Sequence, residues 1–589
     1  MIYIKQIYKY VLCGLMIASC KQPTEEFGKQ IVKGEEGVIT TFKNPILSGY
    51  YPDPSILRVD DAYYLVNSTF SYFPGVPIFH SKDLIHWKQL GNVLDRPEQL
   101  ELEGLGISQG IFAPTINYHK GTFYMITTLI GHGGNFVVTA SDPAGPWSNP
   151  HWLPSVKGID PSLFFDEEND KAYVVFNSEA PDNDPQYNGH RTIRMIAFDP
   201  EGLETVGKDQ VLVNGGSDIS KKPVWIEGPH LYKIQDFYYL MAAEGGTGPK
   251  HSEVIFRTKS LDDSFESWDK NPILTQRDLN PSRPNPISAT GHADLVKTQN
   301  GEWWAVFLAT RPYDTEDHYN IGRETFLAPV SWSQDGWPVI NAPQQEIQYE
   351  YPAPDLPSDS NAMDFPKAGN FRLVDHFNSD ELAPYWIFIR VPKEDWYTVG
   401  NGKTVLDLRS ETAGGKSNPS FLARRQQHLR GEIETEMKFI PEAKGEKAGI
   451  LLFQNENHHL FVGKELDDDG QEIIVLSRSN DSGELVTITS KVLPQMAEPK
   501  KINLKVKFDK AKFIFQYSIN AGNRWETLFE FDEGEFLSTH EAGGFVGTTV
   551  GLYATSSGKK SLNTASFYSF IYDGKDEVLT LDKPDALNL

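Results

Sequence analysis

Five copies of one pattern of apolar and polar positions occupy roughly the first 310 residues of the chain. In each copy a short apolar run is followed by a turn of charged residues or glycine, and then by a second run that opens with aromatic side chains. The turns and second runs cover residues 59–64, 118–124, 166–173, 233–239 and 298–304. Apolar runs of this length, separated by turn residues, predict β-hairpins that repeat along the chain.

The spacing of these copies predicts a five-bladed β-propeller over residues 41–345. The copies recur at roughly 50–65 residues, which exceeds the spacing of regular propellers, because loops inserted on one face lengthen individual blades. Strands of a generic β-sandwich would also form hairpins with aromatic flanks. They would not, however, bring an ionisable residue into register in four copies of five.

A strict alternation of apolar and polar residues returns in the last third of the chain. It is clearest in residues 432–439, 502–508 and 513–518. Alternation with a period of two predicts antiparallel strands with one packed and one wet face, and therefore a β-sandwich over residues 371–589. Repeated prolines in residues 346–370 predict a semi-rigid linker between the two domains. The expected fold class is thus all-β.

The composition agrees with a globular all-β protein and narrows its partners. Of the 589 residues 39% are hydrophobic and 12% are aromatic, and the chain contains 48 glycines and 38 prolines. A net charge of −25 argues against nucleic acid and against a polybasic membrane surface as partners. A neutral or weakly charged ligand is the natural partner, while the sequence leaves the oligomeric state open.

Residues 1–19 predict a signal peptide that is removed from the mature protein. Lys5 and Lys9 give it a positive start, and the apolar stretch over residues 11–18 is too short to span a bilayer. Export leaves the mature domains to be stabilised by large hydrophobic cores, because the chain has only two cysteines.

The end of this segment resembles the cleavage motif of bacterial lipoproteins. Residues 17–20 read Ile-Ala-Ser-Cys, which makes Cys20 the expected site of lipidation and residues 20–40 a polar tether. An ordinary signal peptide followed by an incidental cysteine is the alternative. We therefore expect an exported lipoprotein of a Gram-negative-type bacterium, periplasmic or on the outer-membrane surface, with the lipid as its only contact with the membrane.

Ionisable residues precede the first apolar run in most of the repeats. The equivalent positions are Asp53-Pro54, Ala113-Pro114, Asp160-Pro161, Glu227-Gly228-Pro229 and Gly291-His292. Proteins seldom bury carboxylates without a purpose. Because equivalent positions of a repeat occupy equivalent places in space, we expect Asp53, Asp160 and Glu227 to converge at the mouth of the propeller.

Three carboxylates at one mouth indicate glycoside hydrolysis. This reaction needs a protonated acid for the leaving oxygen and an ionised carboxylate on the opposite side of the sugar. A third carboxylate between them raises the pKa of the acid by repulsion between like charges. The alternative is that each acid only caps a turn, since Asp-Pro is a common turn starter.

Three segments closely resemble the signature motifs of glycoside hydrolase family 43. These segments are residues 50–55, 158–164 and 225–230. The resemblance covers roughly residues 41–575, and the last 200 or so residues resemble the concanavalin-like sandwich of the β-xylosidase-type members.

The resemblance implies a role for each carboxylate. Asp53 would be the general base that activates water, Glu227 the general acid, and Asp160 the residue that tunes the pKa of the acid and orients it. The family inverts the anomeric configuration, which implies that base and acid lie roughly 6.5–9.5 Å apart.

The resemblance also implies four substrate-binding residues. Arg323 would contact sugar hydroxyls, with a surface ion pair as the alternative, and Phe70 would form an aromatic floor, with core packing as the alternative. Phe112 stands where many xylosidases of this type carry tryptophan, a departure that leaves the choice of sugar open. His251, after the glycine-rich residues 244–248, would approach the pocket, with a surface histidine as the alternative.

No cofactor is expected to be required for catalysis. His292 resembles the residue that reaches a central calcium ion or water in many relatives, and a histidine satisfied by hydrogen bonds is the alternative. No cluster of histidine and cysteine in the sequence indicates zinc chemistry.

The function expected from these features is that of an exo-acting hydrolase. It would release a terminal pentose, β-D-xylose or α-L-arabinofuranose, from plant-derived oligosaccharides. A fructan-cleaving hydrolase shares the architecture but uses an Asn-Asp-Pro-Asn-Gly motif, which the sequence lacks. A sugar-binding lipoprotein of the same fold that has lost catalysis is the alternative from another class.

Overall fold

The computed structural model describes residues 41–359, 364–494 and 501–580. The predicted signal peptide, Cys20 and the tether lie outside the described residues. Within the described ranges the helices are one α-helix, α1 (Thr539–Ala542), and short 3₁₀ turns at Pro97–Gln99, Pro181–Asn183, Ile219–Lys221, Gly534–Leu537 and Glu577–Leu579. In the part of the chain that is described, no helix has the length and apolar character that crossing a membrane requires. The all-β prediction is confirmed.

The first half of the chain is built from short strands. Its described strands are β1 (Thr41–Lys43), β2 (Ser55–Val59), β3 (Ala62–Val66), β4 (Tyr72–Phe73), β5 (Gly75–Ser81), β6 (Lys88–Leu94), β7 (Gly110–Ile111), β8 (Thr115–His119), β9 (Thr122–Ile130), β10 (Gly134–Ala140), β11 (His151–Trp152), β12 (Ile159–Asp166), β13 (Lys171–Glu179), β14 (Arg191–Asp199), β15 (Glu204–Asn214), β16 (Glu227–Ile234), β17 (Phe237–Glu244), β18 (Ser252–Thr258), β19 (Glu266–Ser267), β20 (Leu274–Thr275), β21 (Ser288–Lys297), β22 (Trp303–Thr310), β23 (Glu324–Trp332), β24 (Pro338–Ile340) and β25 (Glu350–Pro352).

Apart from β1, β4 and β25, these strands form five antiparallel sheets among the described residues. The sheet orders are β2-β3-β5-β6, β11-β10-β9-β7 with β8 also on β9, β12-β13-β14-β15, β16-β17-β18-β19 with β20 also on β18, and β21-β22-β23-β24. Each predicted repeat is one hairpin of a sheet: β2–β3, β8–β9, β12–β13, β16–β17 and β21–β22. The repeating pattern therefore identified the hairpins correctly.

The first strands of these hairpins surround a common centre, which we call the hub. Strand β2 contacts β8, β8 contacts β12, β12 contacts β16, β16 contacts β21, and β21 contacts β2 again. The described sheets thus close a propeller-type ring, with apolar side chains such as Phe79, Trp87 and Phe307 buried between them. Residues at the start of each first strand consequently lie around the same end of the hub.

The second half forms two further antiparallel sheets. Its described strands are β26 (Phe371–Asp375), β27 (Phe388–Ile389), β28 (Tyr397–Gly400), β29 (Lys403–Asp407), β30 (Phe421–Arg425), β31 (Arg430–Lys438), β32 (Lys447–Asn455), β33 (His458–Leu466), β34 (Glu472–Ser479), β35 (Leu485–Val492), β36 (Ile502–Asp509), β37 (Lys512–Ser518), β38 (Glu526–Phe531), β39 (Thr549–Thr555) and β40 (Thr564–Gly574). The sheet orders are β28-β29-β40-β31-β36-β37-β38, with β26 also on β40, and β30-β39-β32-β33-β34-β35.

The period-two segments of the sequence correspond to strands β31, β36 and β37. In β31 every second side chain is buried, as Ile433 and Met437 show. Leu504 of the first sheet and Leu552 of the second belong to the same apolar core. The predicted sandwich is therefore present, with one face of each alternating strand packed inside.

Strand pairs and buried ion pairs join the two halves. Strand β4 of the first half pairs with β27 of the second, and β1 pairs with β25, which lies in the predicted linker. Arg311, 1% exposed, donates two hydrogen bonds to Glu324 (2.6 and 3.0 Å) and one to Asp576 (2.7 Å). A buried guanidinium bonded from both halves helps to hold their relative position, because separating the halves would break its buried ion pair with Asp576.

Candidate active site

Three residues at or near the start of the first strands share an unusual backbone conformation. Asp53, Asp160 and His292 have φ angles of 52°, 52° and 49°, a region that residues other than glycine seldom adopt. Pairing shifts register between Ile159 and Ser162, and similar shifts interrupt the β16–β17 and β21–β22 pairs. Bulges of this kind redirect side chains. Here they occur near the start of the first strands, around the same end of the hub.

Gly228, not Glu227, occupies the position equivalent to Asp53 and Asp160. It has a φ of 56° and, like both aspartates, directly precedes a proline. A Cβ atom added to Gly228 would lie 2.9 Å from the His292 ring, so this position accepts only glycine without strain. The sequence comparison of the repeats aligned Glu227 with the two aspartates, whereas in the structure Glu227 lies one residue before the equivalent position.

One cavity of about 300 Å³ at the hub collects most of the predicted site residues. It is lined by Asp53, Phe70, Phe112, Ala113, Ile159, Asp160, Trp225, Glu227, Gly246, Thr247, His292, Arg323 and Phe545. All three carboxylates from separate sheets therefore converge, as the repeat pattern predicted.

Asp53 is held as an ionised carboxylate. Its Oδ1 accepts a hydrogen bond from Arg323 Nη1 at 2.7 Å, and its Oδ2 accepts one from Ser68 Oγ at 2.5 Å. Burial alone would raise the pKa of Asp53, but the charge of Arg323 and the bond from Ser68 help to outweigh it, and the pKa is lowered. The same two bonds fix the orientation of the carboxylate.

Glu227 and Asp160 form a pair of neighbouring acids that retains a proton. Burial, and then the charge of Asp53, raise the pKa of Glu227 to about 7 against the opposing charge of Arg323. Burial, and then the charge of Glu227, also raise the pKa of Asp160. The backbone N–H of Gly228 donates to Asp160 Oδ2 at 3.2 Å, which links the two acids. The pair therefore carries a proton close to neutral pH, beside an ionised Asp53.

Three phenylalanines form an aromatic wall of the cavity. Phe70 and Phe112 meet edge to face with ring centroids 5.1 Å apart, and Phe545 stacks near Phe70 at 5.8 Å. The guanidinium of Arg323 lies 5.7 Å from the Phe70 ring and 5.8 Å from the Phe545 ring. Phe70 is only 2% exposed, so it serves core packing as well as the cavity, whereas Phe112 and Phe545 are half-buried.

The two predicted histidines occupy different places. His292 lines the cavity, and its Nδ1 lies 3.9 Å from Asp53 Oδ1. His251 is buried behind the cavity and does not line it, and its Nδ1 donates to the Ala289 carbonyl at 3.0 Å. Burial lowers the pKa of both rings to about 4, so both are neutral at pH 7.

Calcium at His292 stays a prediction. Calcium takes six to eight oxygen ligands, whereas His292 offers a nitrogen, and both oxygens of Asp53 already accept hydrogen bonds. These side chains do not form a calcium shell by themselves, and water would have to supply most of its ligands.

Sequence reasoning missed Trp225 and Phe545. Trp225 stands two residues before Glu227, within a segment already singled out, and Arg191 lies against its ring at 3.9 Å from the centroid. Gly246 and Thr247 likewise belong to the segment quoted for His251. Phe545, by contrast, reaches the cavity from the second half of the chain, where no repeat or motif marked it.

Two family models match the chain, and their boundaries follow its two halves. Residues 42–338 match the glycosyl hydrolases family 43, and residues 374–573 match the beta xylosidase C-terminal concanavalin A-like domain. The second match confirms the predicted concanavalin-like sandwich.

Two named relatives match 90% of the chain. A xylosidase/arabinosidase of Butyrivibrio fibrisolvens is 41% identical over 90% of this chain and 98% of its own length. A non-reducing end alpha-L-arabinofuranosidase of Bacteroides ovatus, BoGH43B, is 38% identical over 90% of this chain and 94% of its own.

Solved structures agree with this assignment. The Bacteroides ovatus GH43B structure superposes with a TM-score of 0.80 at 36% identity, covering 91% of this chain and 100% of that one. A xylan beta-1,4-xylosidase from Bacillus halodurans also gives 0.80 at 30% identity, covering 90% and 100%. With its converging carboxylates, its propeller-type ring and its sandwich, this chain is a glycoside hydrolase and belongs to family 43.

Proposed function

We propose that the protein is an inverting exo-glycosidase that releases terminal β-D-xylose, α-L-arabinofuranose or both from plant-derived oligosaccharides. The observation that carries the proposal is one small cavity that holds an ionised carboxylate, Asp53, beside a pair that keeps a proton, Asp160 and Glu227. The names of the Butyrivibrio and Bacteroides relatives, which specify xylose, arabinose and the non-reducing end, support the pentose and the exo mode.

The chemistry follows from the protonation states. Asp53 accepts a proton from a water molecule, and the oxygen of that water forms a bond to the anomeric carbon. Glu227 gives its proton to the glycosidic oxygen, and the bond between that oxygen and the anomeric carbon breaks. Attack from the face opposite the leaving group yields the sugar with inverted configuration and leaves Asp53 protonated and Glu227 ionised, ready to exchange protons with solvent.

Two further residues set these states. Arg323 keeps Asp53 ionised through their 2.7 Å ion pair and offers its remaining N–H groups to sugar hydroxyls. Asp160, tied to the acid's strand through Gly228, favours the uptake of a new proton from solvent once Glu227 has lost its own, because two close carboxylates resist being ionised together.

The shape of the cavity supports action at a chain end. Its volume of about 300 Å³ is at the small end of ligand pockets, which run from about 300 to 1,000 Å³. Phe545 of the sandwich closes one side, so a terminal sugar ring fits better than the middle of a polysaccharide.

A panel of nitrophenyl glycosides tests the proposal. We expect turnover of β-D-xyloside, α-L-arabinofuranoside or both, little turnover of hexosides, and the inverted anomer as first product in NMR spectra of natural oligosaccharides. Turnover confined to hexosides, or a retained anomer, would refute it. Binding of oligosaccharide without turnover of any glycoside would instead support the binding-protein alternative. Export as a lipoprotein stays a separate prediction.

A further inference from the structure

A cluster of metal-binding side chains lies at the junction of the two halves, outside the cavity. His318 comes from the loop between β22 and β23, and His540 and Glu541 come from α1. None of the three lines the catalytic cavity. The backbones are joined beside them, because the N–H of Thr539 donates to the Tyr319 carbonyl at 3.1 Å.

The side chains of this junction cluster point at one another. His318 Nε2 lies 3.1 Å from Glu541 Oε1, and the rings of His318 and His540 have centroids 4.9 Å apart at an angle of 70°. One ligand atom from each of the three lies within 4.8 Å of the other two. His540 and Glu541 are both exposed, so their side chains have room to turn toward a shared ion.

His318 is already oriented as a metal ligand. Its Nδ1 lies 2.8 Å from Asp314 Oδ2, and Asp314 Oδ1 accepts the backbone N–H groups of Glu316 and His318 at 3.0 and 3.2 Å. A carboxylate on one imidazole nitrogen fixes the ring and leaves the other nitrogen for a metal, an arrangement common around zinc. The His318 ring is 7% exposed and therefore cannot swing away.

The charge around the cluster favours a cation. Asp314 and Glu541 contact His318 directly, and both histidine rings interact electrostatically with Asp317. Even with both imidazoles protonated, three carboxylates would leave an excess of negative charge. A divalent ion would reverse that excess where the two halves meet.

We propose that His318, His540 and Glu541 bind one divalent transition-metal ion, with zinc as the ion that fits best. Two imidazole nitrogens and one carboxylate oxygen are a frequent set of zinc ligands, and water would take the fourth position. Calcium and magnesium prefer all-oxygen sets. On binding, the ion replaces the proton between His318 Nε2 and Glu541 Oε1, and that proton is released to solvent.

The ion would brace the wall of the active site. The loop that holds His318 continues to Arg323, and the chain that follows α1 continues to Phe545. An ion bound by the junction cluster would therefore link the two segments that position Arg323 and Phe545 in the cavity. No zinc signature is visible in the sequence, because His318 and His540 are more than 200 residues apart and only the docked halves bring them together.

Zinc titration of the untagged full chain, freed of metal with a chelator, tests the proposal. We expect one zinc ion to bind with a Kd in the micromolar range or below by calorimetry, and cobalt to give the visible absorption of a tetrahedral nitrogen–oxygen site. Zinc should also raise the melting temperature, whereas magnesium should not.

His540→Ala and Glu541→Gln are the test variants, since both residues are exposed, and thermal melting in the absence of zinc checks that both variants fold like the parent. Each should weaken zinc binding at least tenfold and abolish the cobalt absorption and the shift in melting temperature. His132→Ala, an exposed histidine in the turn after β9, is the matched control and should bind like the parent. Absence of zinc binding in the parent, or binding that survives both substitutions, would overturn the proposal.

Discussion

Replacing Glu227 with glutamine removes the proton donor while keeping its shape, and the structure sets the size of the effect. With a pKa of about 7 instead of the ordinary 4.5, this carboxyl is roughly 90% protonated at pH 6, against about 3% for an unperturbed glutamate. Burial and the charge of Asp53 thus make the protonated fraction of Glu227, which is the active form of the acid, about thirty times larger at that pH. Without the donor, general acid catalysis worth about 10²–10⁴ in rate is lost.

The loss should depend on the leaving group. We expect kcat of Glu227→Gln to fall at least ~10²-fold on natural oligosaccharides, whose poor leaving groups need protonation. It should fall much less on nitrophenyl pentosides, which leave as stable anions. The alkaline limb of the parent's pH–rate profile, near pH 7, should disappear from that of the variant.

Steady-state kinetics across a series of aryl pentosides of graded leaving-group pKa measures both effects. Glu204→Gln, at the exposed start of β15, is the control for loss of a carboxylate and should match the parent throughout. An equal loss on activated and natural substrates, or an alkaline limb that persists in Glu227→Gln, would refute the assignment of Glu227 as the acid.

Four other predictions follow from the same cavity. Asp53→Ala should lower kcat at least ~10²-fold whatever the leaving group; a loss confined to poor leaving groups would contradict its role as base. Arg323→Gln removes the cation that lowers the pKa of Asp53, so the acidic limb of kcat/KM should move to higher pH, and an unmoved limb would count against that ion pair. Phe545→Ala should raise KM several-fold with a smaller change in kcat, because it removes part of the wall that contacts the sugar but no group that takes part in the reaction; an unchanged KM would contradict this. Gly228→Ala gives residue 228, whose φ is positive, a methyl group that presses against the His292 ring, and should lower the free energy of unfolding by about 1–3 kcal/mol in urea titrations; an unchanged midpoint would show that the His292 ring moves aside without cost.

Repetition made much of the fold predictable. Hairpins such as β12–β13 and β16–β17 follow from runs of apolar residues around polar turns, and that information is local in the sequence. Equivalence between repeats then brought Asp53 and Asp160 together without any knowledge of tertiary contacts. The alternation that marks β31 was predictable for the same reason, since one of its faces is buried.

Features that depend on docking were not predictable from sequence. Phe545 enters the cavity only because the sandwich packs against the ring, and no local pattern distinguishes it from a core phenylalanine. The one-residue offset of Glu227 depends on the room that Gly228 leaves for His292. Likewise, the segment that contains His251 does reach the cavity, but through Gly246 and Thr247. The His251 ring itself is buried behind the cavity, beside the Ala289 carbonyl.

The aromatic wall has a consequence for how sugar preference changes in descendants of this chain. Phe545 and Phe112 meet in one wall but belong to different halves. A chimaera that received the sandwich of another protein would therefore also receive a different residue at the position of Phe545, in contact with the substrate. Recombination between related genes could thus alter which pentose is accepted without touching a single residue of the ring that performs the hydrolysis.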